Sequence, residues 1–203
     1  MTRTAPQYSG NQVLLDLKRA FRQGEVSAAF VLGRLYDEGW GVRRNATLAT
    51  KWYLAGAERG VSQAFYFVAV RYLFGQGIKE NARAAFRWFE RAAAAGDVTA
   101  KYMIGVCVFD GRGARKNANR GLALLRTAAA AGSGDAMDFL AAYHLEGGRL
   151  RVAKHWAIRA VRAGDALAPQ RLREIERLIT ARRSNLRLHP TPSRRSRDAS
   201  RRG

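Results

Sequence analysis

The stretch GWGVRRN, residues 39–45, has the residue types of a phosphate-binding loop. Gly39 and Gly41 could bring backbone N–H groups close to an anion, and Arg43 and Arg44 would place positive charge beside it. A P-loop, however, requires G-x-x-x-x-G-K-[ST] after a strand, and a dinucleotide fingerprint requires a third glycine in a strand–turn–helix unit. Neither pattern occurs in this sequence, so the stretch fits no nucleotide-binding fingerprint.

Other residues that could carry out catalysis or bind a metal ion are scattered along the chain. His144, His155 and His189 occur without an H-E-x-x-H pattern, and Cys107 is the single cysteine. We therefore expect Cys107 and His144 to be packed helix residues. The spacings predict that the chain is not an enzyme and uses no metal ion or cofactor.

The glycines of the opening stretch recur with a period of 36 residues. GWGVRRN at 39–45 is followed by GQGIKEN at 75–81 and GRGARKN at 111–117. Two further series keep the same period: Gly24, Gly60, Gly96 and Gly132, and Ala28, Ala64, Ala100 and Ala136. Repetition in one phase indicates architecture rather than a ligand site.

Each repeat divides into two predicted helices joined by the glycine loop. Apolar residues keep helical spacing as far as Tyr36, and Gly39 is a predicted left-handed C-cap. Asn45 is the predicted N-cap of the second helix, whose apolar stripe ends at Gly60. Helices of about a dozen residues are too short to persist alone, so they must stack. Small residues at one phase would allow a close approach of the helices: Gly33, Ala69, Gly105 and Ala141.

The repeats and their flanking segments predict the organisation of the whole chain. A flexible N-terminus (1–10) precedes a solenoid over 11–183, and a disordered Arg-rich tail (184–203) follows it. The solenoid consists of a capping helix at 11–23, repeats at 25–60, 61–96, 97–132 and 133–164, and a C-terminal capping helix at 167–183. The fourth repeat is four residues shorter in its inter-helix turn.

This pattern resembles the Sel-1-like repeat, a variant of the tetratricopeptide repeat with a longer inter-helix loop. The asparagine of the three full repeats stands where the family has aspartate, and Leu124 replaces the family's tryptophan in the third repeat. The resemblance implies an all-α fold, a right-handed α-solenoid of stacked antiparallel helix pairs with capping helices. The first repeat carries it at Ala28, Leu32, Gly33, Tyr36, Gly39, Gly41, Val42, Asn45, Ala49, Trp52, Tyr53, Ala55 and Gly60.

The resemblance also implies a non-enzymatic protein-interaction module or adaptor. Its concave groove, lined by the first helix of each pair, would bind a peptide or a partner helix. The residues expected to line the groove are mainly aromatic and aliphatic: Phe30, Arg34, Tyr66, Val70, Phe74, Tyr102, Val106 and Phe109. The sequence leaves the identity of the partner open.

A formal net charge of +20 suggests an alternative function. Arg83, Arg87 and Arg91 are four residues apart along one helix and would form a basic face on the convex side. This face is either solvated or associates with a polyanion, such as nucleic acid or an anionic membrane. No aromatic platform interleaves with these arginines, which argues against sequence-specific nucleic-acid binding.

The sequence also predicts a compartment. No apolar run is long enough for a transmembrane segment, and the N-terminal residues do not form a signal peptide. A lone cysteine fits a reducing environment. We therefore expect a cytoplasmic protein.

Overall fold

The computed structural model of the protein describes residues 10–188, and these residues form ten α-helices and no β-strand. None of the described helices is long and apolar enough to cross a membrane. Each repeat contributes two helices, with one helix before the first repeat and one after the last. The helices are α1 (Gly10–Arg22), α2 (Ser27–Glu38), α3 (Ala46–Glu58), α4 (Ser62–Phe74), α5 (Ala82–Ala94), α6 (Val98–Asp110), α7 (Ala118–Ala130), α8 (Gly134–Glu146), α9 (Leu150–Arg162) and α10 (Ala168–Leu188). The predicted all-α fold class is therefore confirmed.

The described residues form two compact units, one ending at Ala131 and the other beginning at Gly132. Helices α1–α7 belong to the first unit and α8–α10 to the second. Within each unit every helix packs against the next one along the chain. Short connections join them, so neighbouring helices run antiparallel, as in stacked helical repeats.

Helix ends in the first unit follow the repeated asparagine and glycine positions. Asn45 precedes α3 with an extended backbone, and its side-chain oxygen accepts a hydrogen bond of 2.9 Å from the N–H of Leu48. Asn81 and Asn117 accept equivalent bonds at α5 and α7. Gly39 follows α2 at a φ of +77°, a left-handed conformation that glycine adopts without strain. The predicted caps are therefore present.

The core of the first unit forms where the second helix of a repeat packs on the first. Tyr53 of α3 is fully buried, and a Cβ added to Gly33 of α2 would lie 2.6 Å from its ring. A Cβ on Gly105 would lie 2.8 Å from Leu125 in the same way. Tyr53 also stacks on Phe67 of the next repeat, with ring centroids 5.0 Å apart. Small residues at this phase therefore allow the close approach that the sequence predicts.

In the second unit, α10 packs against α9 and covers the last helix pair. Ile175 is fully buried in a cluster with alanines of α8 and α9. Arg171 donates two hydrogen bonds to the Asp138 carboxylate, from Nε at 2.5 Å and from Nη2 at 2.9 Å. Asp138 shares the phase of the predicted groove residues Phe30 and Tyr66, but in this unit it anchors the capping helix.

The C-terminal helix is longer than the predicted segment 167–183. Helix α10 continues through Leu188, so the predicted start of the tail at residue 184 is too early. No glycine or proline interrupts the chain between Pro169 and Pro190, and the helix therefore has no stop signal at residue 184. The predicted tail from 189 onward and the predicted flexible residues 1–9 lie outside the described residues.

Candidate functional site

Two aromatic residues of the predicted groove are packed between helices of the first unit. Phe30 on α2 is half-buried, and its ring centroid lies 5.9 Å from that of Tyr53 and 5.4 Å from that of Phe67. Tyr66 on α4 lies 5.9 Å from the rings of both Phe67 and Phe89. Phe30 thus joins the first repeat to the second, whereas Tyr66 packs within the second repeat. Much of the surface of both side chains is therefore used by the fold.

Four more predicted groove residues on α4 and α6 are also half-buried. Val70 packs against the buried cluster that α3, α4 and α5 share. Tyr102, Val106 and Phe109 of α6 each keep part of their surface in solvent. These residues therefore combine a packing role with a partly exposed apolar surface.

Phe74 differs from the other predicted groove aromatics because 53 % of its surface is exposed. It is the last residue of α4, and Leu73 immediately before it is buried. The guanidinium of Arg112, in the loop after α6, lies 5.5 Å from the Phe74 ring centroid and donates a hydrogen bond of 3.2 Å to the Leu73 carbonyl. Arg112 of the next repeat thus fixes the position of the end of α4, which carries the exposed Phe74 side chain.

A second exposed aromatic, Trp40, follows α2. Its surface is 55 % exposed, and the guanidinium of Arg34 lies 5.0 Å from its ring centroid. Arg34 Nη2 is also 3.8 Å from a carboxylate oxygen of Glu38. The predicted groove arginine is therefore positioned by a ring and a carboxylate. The repeat pattern does not single out Trp40, because Gln76 and Arg112 occupy its phase in the next repeats.

A buried ion pair joins α2 to α4. The guanidinium of Arg71 contacts the carboxylate of Asp37, and the two side chains are 6 % and 18 % exposed. The Tyr53 hydroxyl donates a hydrogen bond of 3.4 Å to the same carboxylate. Burial, together with the negative charge of Asp37, raises the pKa of Tyr53, so its hydroxyl stays protonated and remains a donor.

Asp37 is the second-last residue of α2, and the structure turns its side chain toward α4. The signal that could have revealed the pair is the charge of Arg71. The equivalent positions of the four repeats, 36 residues apart, are Leu35, Arg71, Cys107 and Tyr143, and Arg71 is the charged one among them.

The G-x-G loops at Gly77 and Gly113 each contact the second helix of the preceding repeat. A Cβ on Gly77 would overlap the carbonyl of Ala46 at the start of α3, and Gly113 approaches the start of α5 in the same way. Thr50 of α3 donates a hydrogen bond of 2.7 Å to the carbonyl of Gln76. The second glycine of the loop is thus required by a close approach of two backbones. This arrangement supports an architectural role for the loops and gives no support to a phosphate cradle.

The three arginines of the predicted basic face are exposed, and one of them also contacts the neighbouring repeat. Arg83 and Arg87 on α5 are exposed. The guanidinium of Arg91 lies 4.5 Å from the ring centroid of Phe65 and 4.1 Å from that of Trp88, and it donates a hydrogen bond of 3.4 Å to a backbone carbonyl of α3. Arg91 therefore takes part in the contact between two repeats.

Cys107 and His144 are packed within helices, as expected, whereas His155 on α9 is exposed and His189 lies outside the described residues. Cys107 on α6 and His144 on α8 are 1 % and 6 % exposed. Burial raises the pKa of the Cys107 thiol to about 11, so little reactive thiolate is present at neutral pH. Within residues 10–188, no group of three or more His, Cys, Asp or Glu residues is arranged to hold a metal ion.

Known proteins share both the repeat sequence and the fold. The Sel1 repeat model matches four consecutive segments, residues 26–61, 62–97, 98–133 and 134–165. The chain is similar to c5321, a protective antigen of uropathogenic Escherichia coli strains with an SLR fold, at a TM-score of 0.67 and 27 % identity, covering 76 % of this chain and 34 % of that one. It is also similar to a Sel1 repeat protein from Oxalobacter formigenes, at a TM-score of 0.62 and 26 % identity, covering 79 % and 72 % of the two chains. The present chain thus spans about a third of the E. coli protein, and no curated protein gives a match.

These similarities bear on function at the level of the family. Proteins built from Sel1 repeats generally mediate protein–protein interaction, and the fold is typically a non-catalytic scaffold. The comparisons give no support to nucleic-acid binding. Four consecutive repeats match the family model over more than half of the sequence, and the helices form the stacked pairs that such repeats require. The chain therefore belongs to the Sel1 repeat family.

Proposed function

We propose that the protein is a non-enzymatic adaptor that binds a segment of a partner protein through the first-helix face of its first unit. This face comprises the residues Phe30, Arg34, Tyr66, Val70, Phe74, Tyr102, Val106 and Phe109. The observation that carries the proposal is the exposure of Phe74, 53 % of whose surface is in solvent at the end of α4. Large aromatic side chains dominate the energetics of protein interfaces, and an exposed one offers apolar area for a partner to bury.

The surroundings of Phe74 favour binding because they are already ordered. Arg112 fixes the end of α4 through its hydrogen bond to Leu73 and lies beside the ring. A preorganised anchor loses little conformational entropy when a partner binds. Arginine and aromatic residues are also enriched at interfaces, and Arg34 beside Trp40 repeats this combination at the end of α2.

The half-buried members of the first-helix face suit a surrounding role. Val70, Tyr102 and Val106 each retain partial exposure, so a peptide or helix that extends from Phe74 along the first-helix face could cover further apolar surface. The partner segment should accordingly carry an apolar residue that contacts the Phe74 ring.

A photocrosslinking experiment tests this proposal. A benzoylphenylalanine side chain introduced at position 74 should form an adduct with a partner protein in cells, whereas the same group at position 120 on α7 should not. Arg120 is exposed and lies outside the first-helix face, so it is a matched control. Phe74→Ala should then lose the crosslinked partner in a pull-down at ~0.5 M salt, where electrostatic attraction is screened. Retention of that partner by Phe74→Ala would contradict the proposal.

Association with a polyanion through Arg83, Arg87 and Arg91 has weaker support. All three arginines are exposed, but Arg91 also contacts two aromatic rings and a backbone carbonyl, so a role in the fold already accounts for it. Exposed arginines at helical spacing are common on soluble proteins and need no ligand. We therefore propose no second function for this face.

A further inference from the structure

A pocket of about 930 Å³ lies between α9 and α10 in the second unit. It is separate from the first-helix face, whose residues all belong to the first unit. Its walls are the start of α9 and the second half of α10, and the lining residues include Leu150, Arg151, Val152, Lys154, Glu176, Ile179 and Arg182. Its volume lies in the range of sites that bind small ligands or short peptide segments.

The preceding repeats explain why a pocket opens at this place. In the pair α3 and α4, Gly75 follows α4 at a φ of +66° and turns the chain back toward the start of α3. The next two residues lie against that helix, because Gln76 accepts a hydrogen bond from Thr50 and Gly77 contacts Ala46. The G-x-G loop thus covers the start of the second helix.

The chain does not make this turn at the corresponding position of α10, the helix that follows α9. Gly60 and Gly164 are the last residues of the first and fourth repeats. Gly75 lies 15 residues after Gly60, and the residue 15 positions after Gly164 is Ile179. A β-branched residue does not readily adopt the left-handed conformation of Gly75, so α10 continues straight through positions 179–182. The start of α9 therefore lacks the loop that covers the start of α3, and the pocket lies there.

The charge in this pocket is positive. Lys154 forms an ion pair of 2.6 Å with Glu176, but Arg151 and Arg182 have no acidic partner within residues 10–188. The N-cap position of α9 is Arg149, whose side chain forms no capping hydrogen bond, unlike the asparagines before α3, α5 and α7. The aliphatic side chains of Leu150, Val152 and Ile179 lie among these charges, and Val152 is 41 % exposed.

We propose that this pocket binds an extended acidic segment of a partner protein, whose backbone takes the place that the G-x-G loop has in the preceding repeats. Carboxylates of the segment would pair with Arg151 and Arg182, and its apolar residues would cover Val152 and Ile179. Among the described residues, the lining contains no aromatic side chain and thus no stacking platform for nucleic-acid bases. The chain's own residues 189–203 carry five arginines and one aspartate, and this charge makes them an unsuitable occupant.

Peptide binding to the full-length protein tests the inference. The probe is a library of fluorescein-labelled hexapeptides with two Asp or Glu residues and Leu, Ile, Val or Gly elsewhere, measured by fluorescence anisotropy at ~150 mM salt. Replacing Arg151 and Arg182 together by Gln should weaken binding about tenfold or more. The matched control replaces Arg87 and Arg120 by Gln, which changes the net charge equally, and should alter the Kd less than about twofold.

Further measurements separate the pocket from general charge attraction and from other occupants. Val152→Trp should place a bulky ring in the pocket beside the arginines and weaken binding while all the arginines remain. Unchanged helical circular dichroism in every variant would show that each one folds. The inference is overturned if no acidic peptide binds, or if peptides with Asn and Gln in place of Asp and Glu bind equally well. It is also overturned if the Arg87 and Arg120 replacements weaken binding as much as the Arg151 and Arg182 replacements do. Two other results would also overturn it. One is that replacing Arg151 and Arg182 weakens the binding of a labelled hexanucleotide more than that of the peptides. The other is that the protein self-associates through these two arginines.

Discussion

Arg71 on α4 and Asp37 on α2 form an ion pair across two repeats, and both side chains are largely withdrawn from solvent. The pair lies about one helical turn before each exposed aromatic, because Trp40 follows Asp37 by three residues and Phe74 follows Arg71 by three. A charged contact that joins the two helix ends therefore fixes the backbone that carries both aromatic residues. The stability of the first unit and the shape of its first-helix face depend on the same contact.

Arg71→Met should lower the free energy of unfolding by about 3 kcal/mol, because it leaves the Asp37 carboxylate buried without its cation. The double variant Asp37→Leu with Arg71→Met removes both charges and should recover most of that loss. Urea denaturation followed by far-ultraviolet circular dichroism measures both values. Equal losses in the single and double variants would mean that the two charges are not coupled.

Gly77→Ala should destabilise the protein more than Gly60→Ala does. Both glycines have positive φ, +69° and +90°, so each alanine incurs a backbone strain of about 1–2 kcal/mol. A Cβ at position 60 has no atom within 4 Å, whereas a Cβ at position 77 overlaps the carbonyl of Ala46. This overlap should add about 2 kcal/mol or more to the loss at position 77.

The two glycine variants are compared by urea denaturation under identical conditions. Gly96→Ala is a second control, because a Cβ at Gly96 also has no neighbour within 4 Å. If all three variants lost the same stability, the loop at Gly77 would not pack against α3 as the structure describes.

Much of the fold could be predicted from the sequence because helix ends depend on local chemistry. Asn45 caps α3 through a bond to a residue three positions away, and Gly39 supplies a left-handed conformation at its own position. Both effects are visible in a repeated motif without knowledge of the tertiary structure. The length of α10 was harder to predict, because two signals disagree. Apolar residues become sparse near Ser184, which suggests a helix end, but no glycine or proline ends the helix there.

The candidate site was less predictable because it depends on which side chain faces which neighbour. Leu73 and Phe74 are adjacent in sequence and equally apolar, yet one is buried and the other is 53 % exposed. Periodicity identifies a helix face to within a residue or so, which is too coarse to separate them. The inward turn of Asp37 likewise depends on a cation in the next repeat, a contact that its own repeat does not encode.

Tyr66→Ala should destabilise the protein much more than Phe74→Ala does. Tyr66 packs against Phe67 and Phe89, so its truncation should lower the free energy of unfolding by about 2–3 kcal/mol. Phe74 is more than half exposed, and its truncation should change stability by only ~0.5 kcal/mol. Thermal and urea denaturation measure both, with Tyr66→Phe as the variant that keeps the ring. A larger loss for Phe74→Ala would identify Phe74 as a packing residue and remove it from the binding face.

Cys107 should make the stability of the protein depend on pH in the alkaline range. Burial raises the pKa of its thiol from 9.0 to about 11. Between these values the folded state keeps the thiol proton while the unfolded state loses it, so a rise in pH favours unfolding. The contribution is present in full below about pH 9 and is lost as the pH approaches 11. Urea denaturation at about pH 8 and pH 10 should therefore show a loss for the wild type that is absent from Cys107→Ala. Tyr53 is common to both proteins, so its titration cancels in the comparison.

A thiol reagent should label Cys107 slowly at pH 8 and rapidly after unfolding. Rapid labelling of the folded protein would contradict the burial of this side chain.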